Sequence, residues 1–246
     1  MVSRNALYVA DRAFRELRRD VRTMTLFIIS PALVMIVLSG VLHNYPQTWN
    51  RTGLLVMGLF PTAPSFLFAA FMVHRERYRG TLEYLLTTPT QKLDVLVGYL
   101  IAFMIPSVVQ VGLSLTVTYQ LLGFHVAGAW WALGLLALLN SALGVALGLF
   151  VTNLVRNEFQ LVLTLGAIAL PHLMLSGLFR SPNDMVGWMH AISDFLPWHY
   201  SVGAAAELQK HASATSALWF NVAVTVGFIF VLSTIIANTV FSRRSA

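Results

Sequence analysis

The sequence predicts an all-α integral membrane protein with six transmembrane helices, and three observations carry that prediction. Hydrophobic residues make up 57% of the chain against 11% charged, and the mean hydropathy is +0.71. A soluble domain with that balance would expose far too much apolar surface. Six uncharged apolar stretches run at 24–42, 53–73, 95–122, 130–151, 160–178 and 218–240, lengths suited to crossing a bilayer. Backbone groups in hydrocarbon must pair within their own segment, so the stretches are helices.

Residues 1–23 come first. Leu7, Ala10, Phe14, Leu17 and Val21 recur every three or four positions, with arginines and acids on the remaining face. This pattern predicts an amphipathic helix with a basic side, lying in the headgroup plane; a solvated helical extension is the alternative. The first span is expected to stay uncleaved, since no small-residue cleavage site precedes His43-Asn44-Tyr45. The second contains Pro61 and Pro64, which remove backbone donors and loosen the helix, either for motion or for packing. The third is long enough to tilt or to extend beyond the bilayer. In the fourth, Ala137, Ser141, Gly144 and Gly148 form a small-residue stripe that admits a close helix neighbour, within the subunit or across a dimer. After the fifth, residues 180–217 are too long for a turn. They read as two short helices, near 183–195 and 199–210, broken at Pro197. Trp188, Phe195, Trp198 and Tyr200 suit a membrane–water interface, so this segment is expected to be a re-entrant or surface-lying external hairpin. No linker or repeat divides residues 1–246, which read as a single transmembrane domain.

Thirteen of the sixteen Lys and Arg lie in the amino-terminal segment, the 74–94 loop, the 152–159 loop and the carboxy-terminal tail. The positive-inside rule therefore puts both termini in the cytoplasm. The net charge of +6 records topology and gives no support to a nucleic-acid partner. With no cysteine there is neither a disulfide framework nor a thiol ligand.

The spans contain no Asp, Glu, Lys or Arg, which disfavours ion-coupled transport, since that chemistry needs an intramembrane charge carrier. No Walker motif, H-E-x-x-H or G-x-S-x-G is present. His190, Asp194 and His199 could hold a metal, but interfacial hydrogen bonding and capping explain them more simply. An enzymatic function has no residues to rest on.

The most informative segment is Arg75-Glu76-Arg77-Tyr78-Arg79-Gly80-Thr81-Leu82-Glu83-Tyr84-Leu85-Leu86-Thr87-Thr88-Pro89. A charge cluster precedes a short apolar helix confined between a glycine and a proline. A solvated topogenic loop explains the charges but not that apolar helix. The segment resembles the E-R-x-x-G-T-x-E-x-L-L coupling helix of permease subunits of type-2 ATP-binding-cassette exporters, which include drug, Nod-factor and polysaccharide exporters. Leu175-Ser176-Gly177-Leu178-Phe179 and Pro197-Trp198-His199-Tyr200 resemble the S-G-x-x-F and N/L-P-x-x-Y elements around that family's external hairpin. The resemblance covers nearly the whole chain; Arg180-Ser181-Pro182 departs slightly from the usual proline pattern.

It implies two permease subunits, identical or paralogous, around a central path in a bacterial inner membrane. Two cytosolic ATPase subunits would carry ATP and Mg, with no cofactor on this chain. Docking is implied for Arg75, Glu76, Arg77, Arg79, Gly80, Thr81, Leu82, Glu83, Leu85 and Leu86. Arginines and glutamates would make charge-assisted contacts and the leucines an apolar anchor. Candidates for the substrate path are Gln110, Asn140, His172, Phe179, Trp198 and Tyr200. A path without charge favours a hydrophobic or amphipathic cargo. A lipid-linked glycan, a self-contained channel and a non-transporting membrane anchor are the alternatives.

Overall fold

Pro61 splits the second apolar stretch into two helices, and the rest of the fold packs around that break. The computed structural model describes residues 3–80, 90–176 and 185–239. Among these the elements are helical: α1 (Arg4–Arg19), α2 (Val21–Val41), α3 (Pro46–Leu59), α4 (Thr62–Tyr78), α5 (Lys92–Thr116), α6 (Trp130–Val151), α7 (Glu158–Leu175), α8 (Gly187–Asp194), α9 (Pro197–Lys210) and α10 (Ser216–Thr239). A π-helical turn, Val117–Leu121, extends α5. Six helical segments are long and apolar enough to cross a membrane, with α3 and α4 counting as one segment of 33 residues. All six match the predicted spans.

Helix α1 is amphipathic as expected, but its buried face is shifted. Ala6, Val9, Ala10, Ala13 and Leu17 are buried, whereas Leu7 and Val21 are exposed. The partner explains the shift. Helix α5 presents Gly98, where an added Cβ would stand 2.6 Å from the Val9 Cβ and 2.9 Å from the Ala6 carbonyl oxygen. So close a crossing selects the small-residue face of α1 over its bulkiest one. The caps of the two helices are joined as well. The Ser3 hydroxyl accepts from the Ala6 amide at 3.0 Å and donates to Asp94, and Asp94 accepts from the Gln91 amide at 3.1 Å.

Helix α6 is the centre of the bundle. A Cβ on Gly144 would lie 2.2 Å from the Thr62 carbonyl oxygen, and one on Gly148 would lie 2.5 Å from that of Phe66. The small-residue stripe therefore serves packing within the subunit, against α4. By contrast α2, α7 and α10 bury little: 22%, 6% and 17% of their apolar windows. Their free faces need lipid or another apolar partner.

Helices α8 and α9 take the places predicted for the two hairpin pieces. Pro197 is the first residue of α9, where its missing amide costs nothing. Trp198 of α9 is buried together with Leu59 of α3 and Leu143 of α6. At the far end of α9, the Leu208 carbonyl accepts from the Gly128 amide at 2.8 Å.

Candidate coupling site and outer hairpin

The last turn of α4 carries the charged half of the predicted docking segment, and α1 runs alongside it. Glu76 is 1% exposed. Its carboxylate accepts from Arg12 Nη2 at 2.6 Å and from the Tyr99 hydroxyl of α5. Burial disfavours the Arg12 cation, but the Glu76 carboxylate outweighs that and raises the guanidinium above its ordinary value. Two further ion pairs join the same elements: Arg75 to Asp20 at 3.1 Å and Arg79 to Glu16 at 3.4 Å. The Thr23 hydroxyl and amide, with Arg75 adding to them, hold the Asp20 carboxyl below the usual range. Arg77 donates to Asn153, at the end of α6.

These contacts sort the predicted docking residues. Glu76 is turned inward, so it joins α1, α4 and α5 and offers no surface. Arg75 and Arg79 keep 40% and 56% of their side chains exposed. Gly80 has φ +72°, a left-handed turn that glycine adopts freely directly before the predicted coupling helix. Thr81, Leu82, Glu83, Leu85 and Leu86 lie outside the described residues. Arg12, Glu16, Asp20, Tyr99 and Asn153 were not anticipated. The acids of α1 were visible in its polar face, but the identity of their partners was not.

Of the path candidates, two are structural ties. Gln110 Nε2 donates to the Phe27 carbonyl at 3.0 Å. Asn140, near the middle of α6, accepts from Ser201 of α9 at 3.2 Å and, more distantly, from Thr62 of α4 at 3.5 Å. It donates to the Leu136 carbonyl at 3.0 Å. Both side chains are fully buried. His172 and Trp198 do meet: the Trp198 amide donates to His172 Nε2 at 3.4 Å and the rings cross edge-to-face at 5.0 Å. Tyr200 donates to the Asp194 carbonyl at 2.9 Å. Phe179 lies outside the described residues.

Two features stand out beside these. An apolar cavity of about 290 Å³ opens at the α3–α4 break, walled by Leu59, Phe60 and Ala63 on one side and Ala169, Leu173 and Trp198 on the other. The Trp198 indole N–H is buried without a partner. Further along the hairpin, His190 and His199 converge on one oxygen of Asp194 at 3.8 and 3.9 Å. Ser193 donates to the Leu175 carbonyl at 2.6 Å and lies 3.0 Å from His199 Nδ1. Burial, outweighing Asp194, lowers the His199 ring below its ordinary value. Among the described residues no cluster is arranged to hold a metal.

Six helices long and apolar enough to cross a membrane, packed around a central small-residue crossing, define a helical membrane protein. The chain belongs to the ABC-2 type transporter family, whose pattern it matches over residues 4–210. It is a non-catalytic membrane subunit. A similar protein is the probable multidrug ABC transporter permease YbhS of Escherichia coli K12, 27% identical over 143 residues. That match covers 58% of this chain and 38% of the relative, and the protein of the same name from E. coli O157:H7 matches equally.

Proposed function

We propose that this chain is the membrane-spanning half of an ATP-driven exporter for hydrophobic or amphipathic cargo, drug-like or lipid-like, worked by a separate ATPase. The observation that carries the reading is the three-way tie of α1, α4 and α5 through Arg12, Glu76 and Tyr99. It makes one mechanical body of the helices on either side of residues 81–89. A push on that segment would then reach α4, the Pro61 break and the cavity beside it. The cavity's apolar wall suits an apolar molecule or the apolar part of an amphipathic one. The multidrug description of the E. coli relatives points the same way.

In this reading both termini face the cytoplasm of a bacterial inner membrane, and residues 74–94 form the coupling loop. Helices α8 and α9 form a re-entrant hairpin at the outer mouth, and α1 lies along the inner headgroups. A second permease, identical or paralogous, would cover part of the free faces of α2, α7 and α10. Two ATPase subunits would supply ATP and Mg. Trp188 and Phe195, both exposed on the hairpin, favour a lipid-linked glycan as the second candidate cargo, since flat aromatic faces suit sugar rings.

The test is reconstitution with the cognate ATPase. Arg77→Glu and Glu83→Ala are expected to uncouple ATP hydrolysis from export of an amphipathic dye while leaving membrane insertion intact. Unchanged export in both variants would overturn the docking role of this segment. A stable purified complex that never contains a Walker-motif ATPase would overturn the exporter reading itself.

A further inference from the structure

A cleft of about 840 Å³ lies between α1 and the cytoplasmic-side half of α4. Five arginines line it, Arg12, Arg15, Arg19, Arg75 and Arg79, against two acids, Glu16 and Asp20. The three ion pairs already described consume only part of this donor capacity. Arg12 Nε is buried and has no hydrogen-bond partner. Among the described residues Arg15 pairs with Asp11, at the surface.

Met72, in the apolar part of α4, lines the cleft as well. Asp20 on its wall leads directly into α2, whose Val21 and Leu26 are exposed and, on a membrane helix, face hydrocarbon. Tyr8 stands at the rim, 62% exposed. The cleft thus places anion-binding groups beside the start of a membrane-spanning helix, since Asp20 on its wall immediately precedes α2. A soluble acidic segment would use only the first. An anionic phospholipid needs both, because its phosphate is attached to acyl chains.

From this juxtaposition we infer that the α1–α4 cleft is a binding site for the phosphate headgroup of an anionic lipid of the adjoining leaflet. Arg15 and Arg19 attract and hold the phosphate. Basic pockets between helices and the membrane surface bind headgroups in this way. A bound lipid would brace α1 against α4 alongside the Arg12–Glu76 pair. The inference rests on the membrane topology used above but requires neither transport nor an ATPase.

The full chain, purified in mild detergent, is titrated with dioleoylphosphatidylglycerol or dioleoylphosphatidylcholine and read by native mass spectrometry. The anionic lipid should be retained about tenfold better. The Arg15→Gln/Arg19→Gln double variant leaves the Arg12–Glu76 pair intact and should lose that preference. Arg51→Gln, far from the cleft, should keep it, and millimolar inorganic phosphate should not displace the lipid. Equal retention of the two lipids, or an undiminished preference in the double variant, overturns the site. Displacement by phosphate alone assigns the cleft to a soluble phosphate and overturns the lipid. Loss of a co-purifying ATPase with lipid preference unchanged makes the cleft a protein-docking surface and overturns it too. Headgroup retention is independent of export, so failure here leaves the exporter reading standing.

Discussion

Gln110 of α5 donates to the backbone carbonyl of Phe27 in α2, and that carbonyl is free because Pro31, four residues on, has no amide to offer it. A proline in a membrane helix leaves a polar group in hydrocarbon, and a neighbouring side chain satisfies it. Ser30 assists from within α2, its hydroxyl donating to the same oxygen at 3.1 Å. Gln110→Leu should therefore act on stability: about 1–2 kcal/mol lost, read as a lower unfolding temperature in detergent. Cargo affinity should stay unchanged. A changed cargo preference with unaltered stability would return Gln110 to the substrate path.

The glycines of α6 and α7 give a matched pair. Gly144→Ala drives a Cβ into the Thr62 carbonyl, which is backbone and cannot swing aside. The expected loss is at least the 1–3 kcal/mol typical of overpacking, seen as poor recovery of folded protein. Gly166 of α7 has no atom within 4 Å of an added Cβ. Gly166→Ala should be neutral or stabilise by up to about 1 kcal/mol through helix propensity. Equal behaviour of the two variants would contradict the α4–α6 crossing.

Hydropathy, proline and small-residue spacing made the bundle legible: the six spans, the break at Pro61 and the Gly144–Gly148 crossing all leave local signatures. What a polar residue faces leaves none. Gln110 and Asn140 read as path-lining groups because a lone amide in an apolar run looks the same whether it meets cargo or a neighbouring helix. Pro31 was the available clue for Gln110. Arg12, Glu76 and Tyr99 lie far apart in sequence, and only the folding of α1 onto α5 at Gly98 joins them. The buried face of α1 was misplaced for a related reason. Periodicity ranks residues by hydrophobicity, whereas a close crossing ranks them by size.

The α8–α9 hairpin should respond to pH through His199. Its ring is lowered by burial, against Asp194 and with His190 nearby, so protonation is easier in the unfolded chain. Stability from His199 is complete above the ordinary histidine value of about 6.5 and is lost as pH falls below it towards the depressed folded value. Acidification across that window should loosen α8 from α9. A single cysteine placed at Trp188, in a chain that has none of its own, should then label faster with an impermeant maleimide. His199→Gln should flatten the pH response, and a response that persists would rule out His199 as its origin.

Glu76 provides the sharpest test of how α1, α4 and α5 move. Glu76→Ala leaves the Arg12 cation and the Tyr99 hydroxyl without their shared acceptor, in a site where the carboxylate was 1% exposed. The cost should be on the order of 3 kcal/mol, because breaking one side of a buried pair strands the other. Tyr99→Phe removes the bond donated to Glu76 and the longer one accepted from Arg12 at 3.4 Å, and should cost about 1–2 kcal/mol. Glu76→Gln retains an acceptor for Tyr99 but abolishes the charge pairing with Arg12, so α1 should be held more weakly while the bundle still folds. In reconstituted complexes that variant should hydrolyse ATP at a nearly normal rate and export less per ATP. Thermal unfolding and the transport-to-hydrolysis ratio separate the two effects. A Glu76→Gln protein with a normal ratio would mean that α1 does not move with α4, and that the triad is a structural clamp alone.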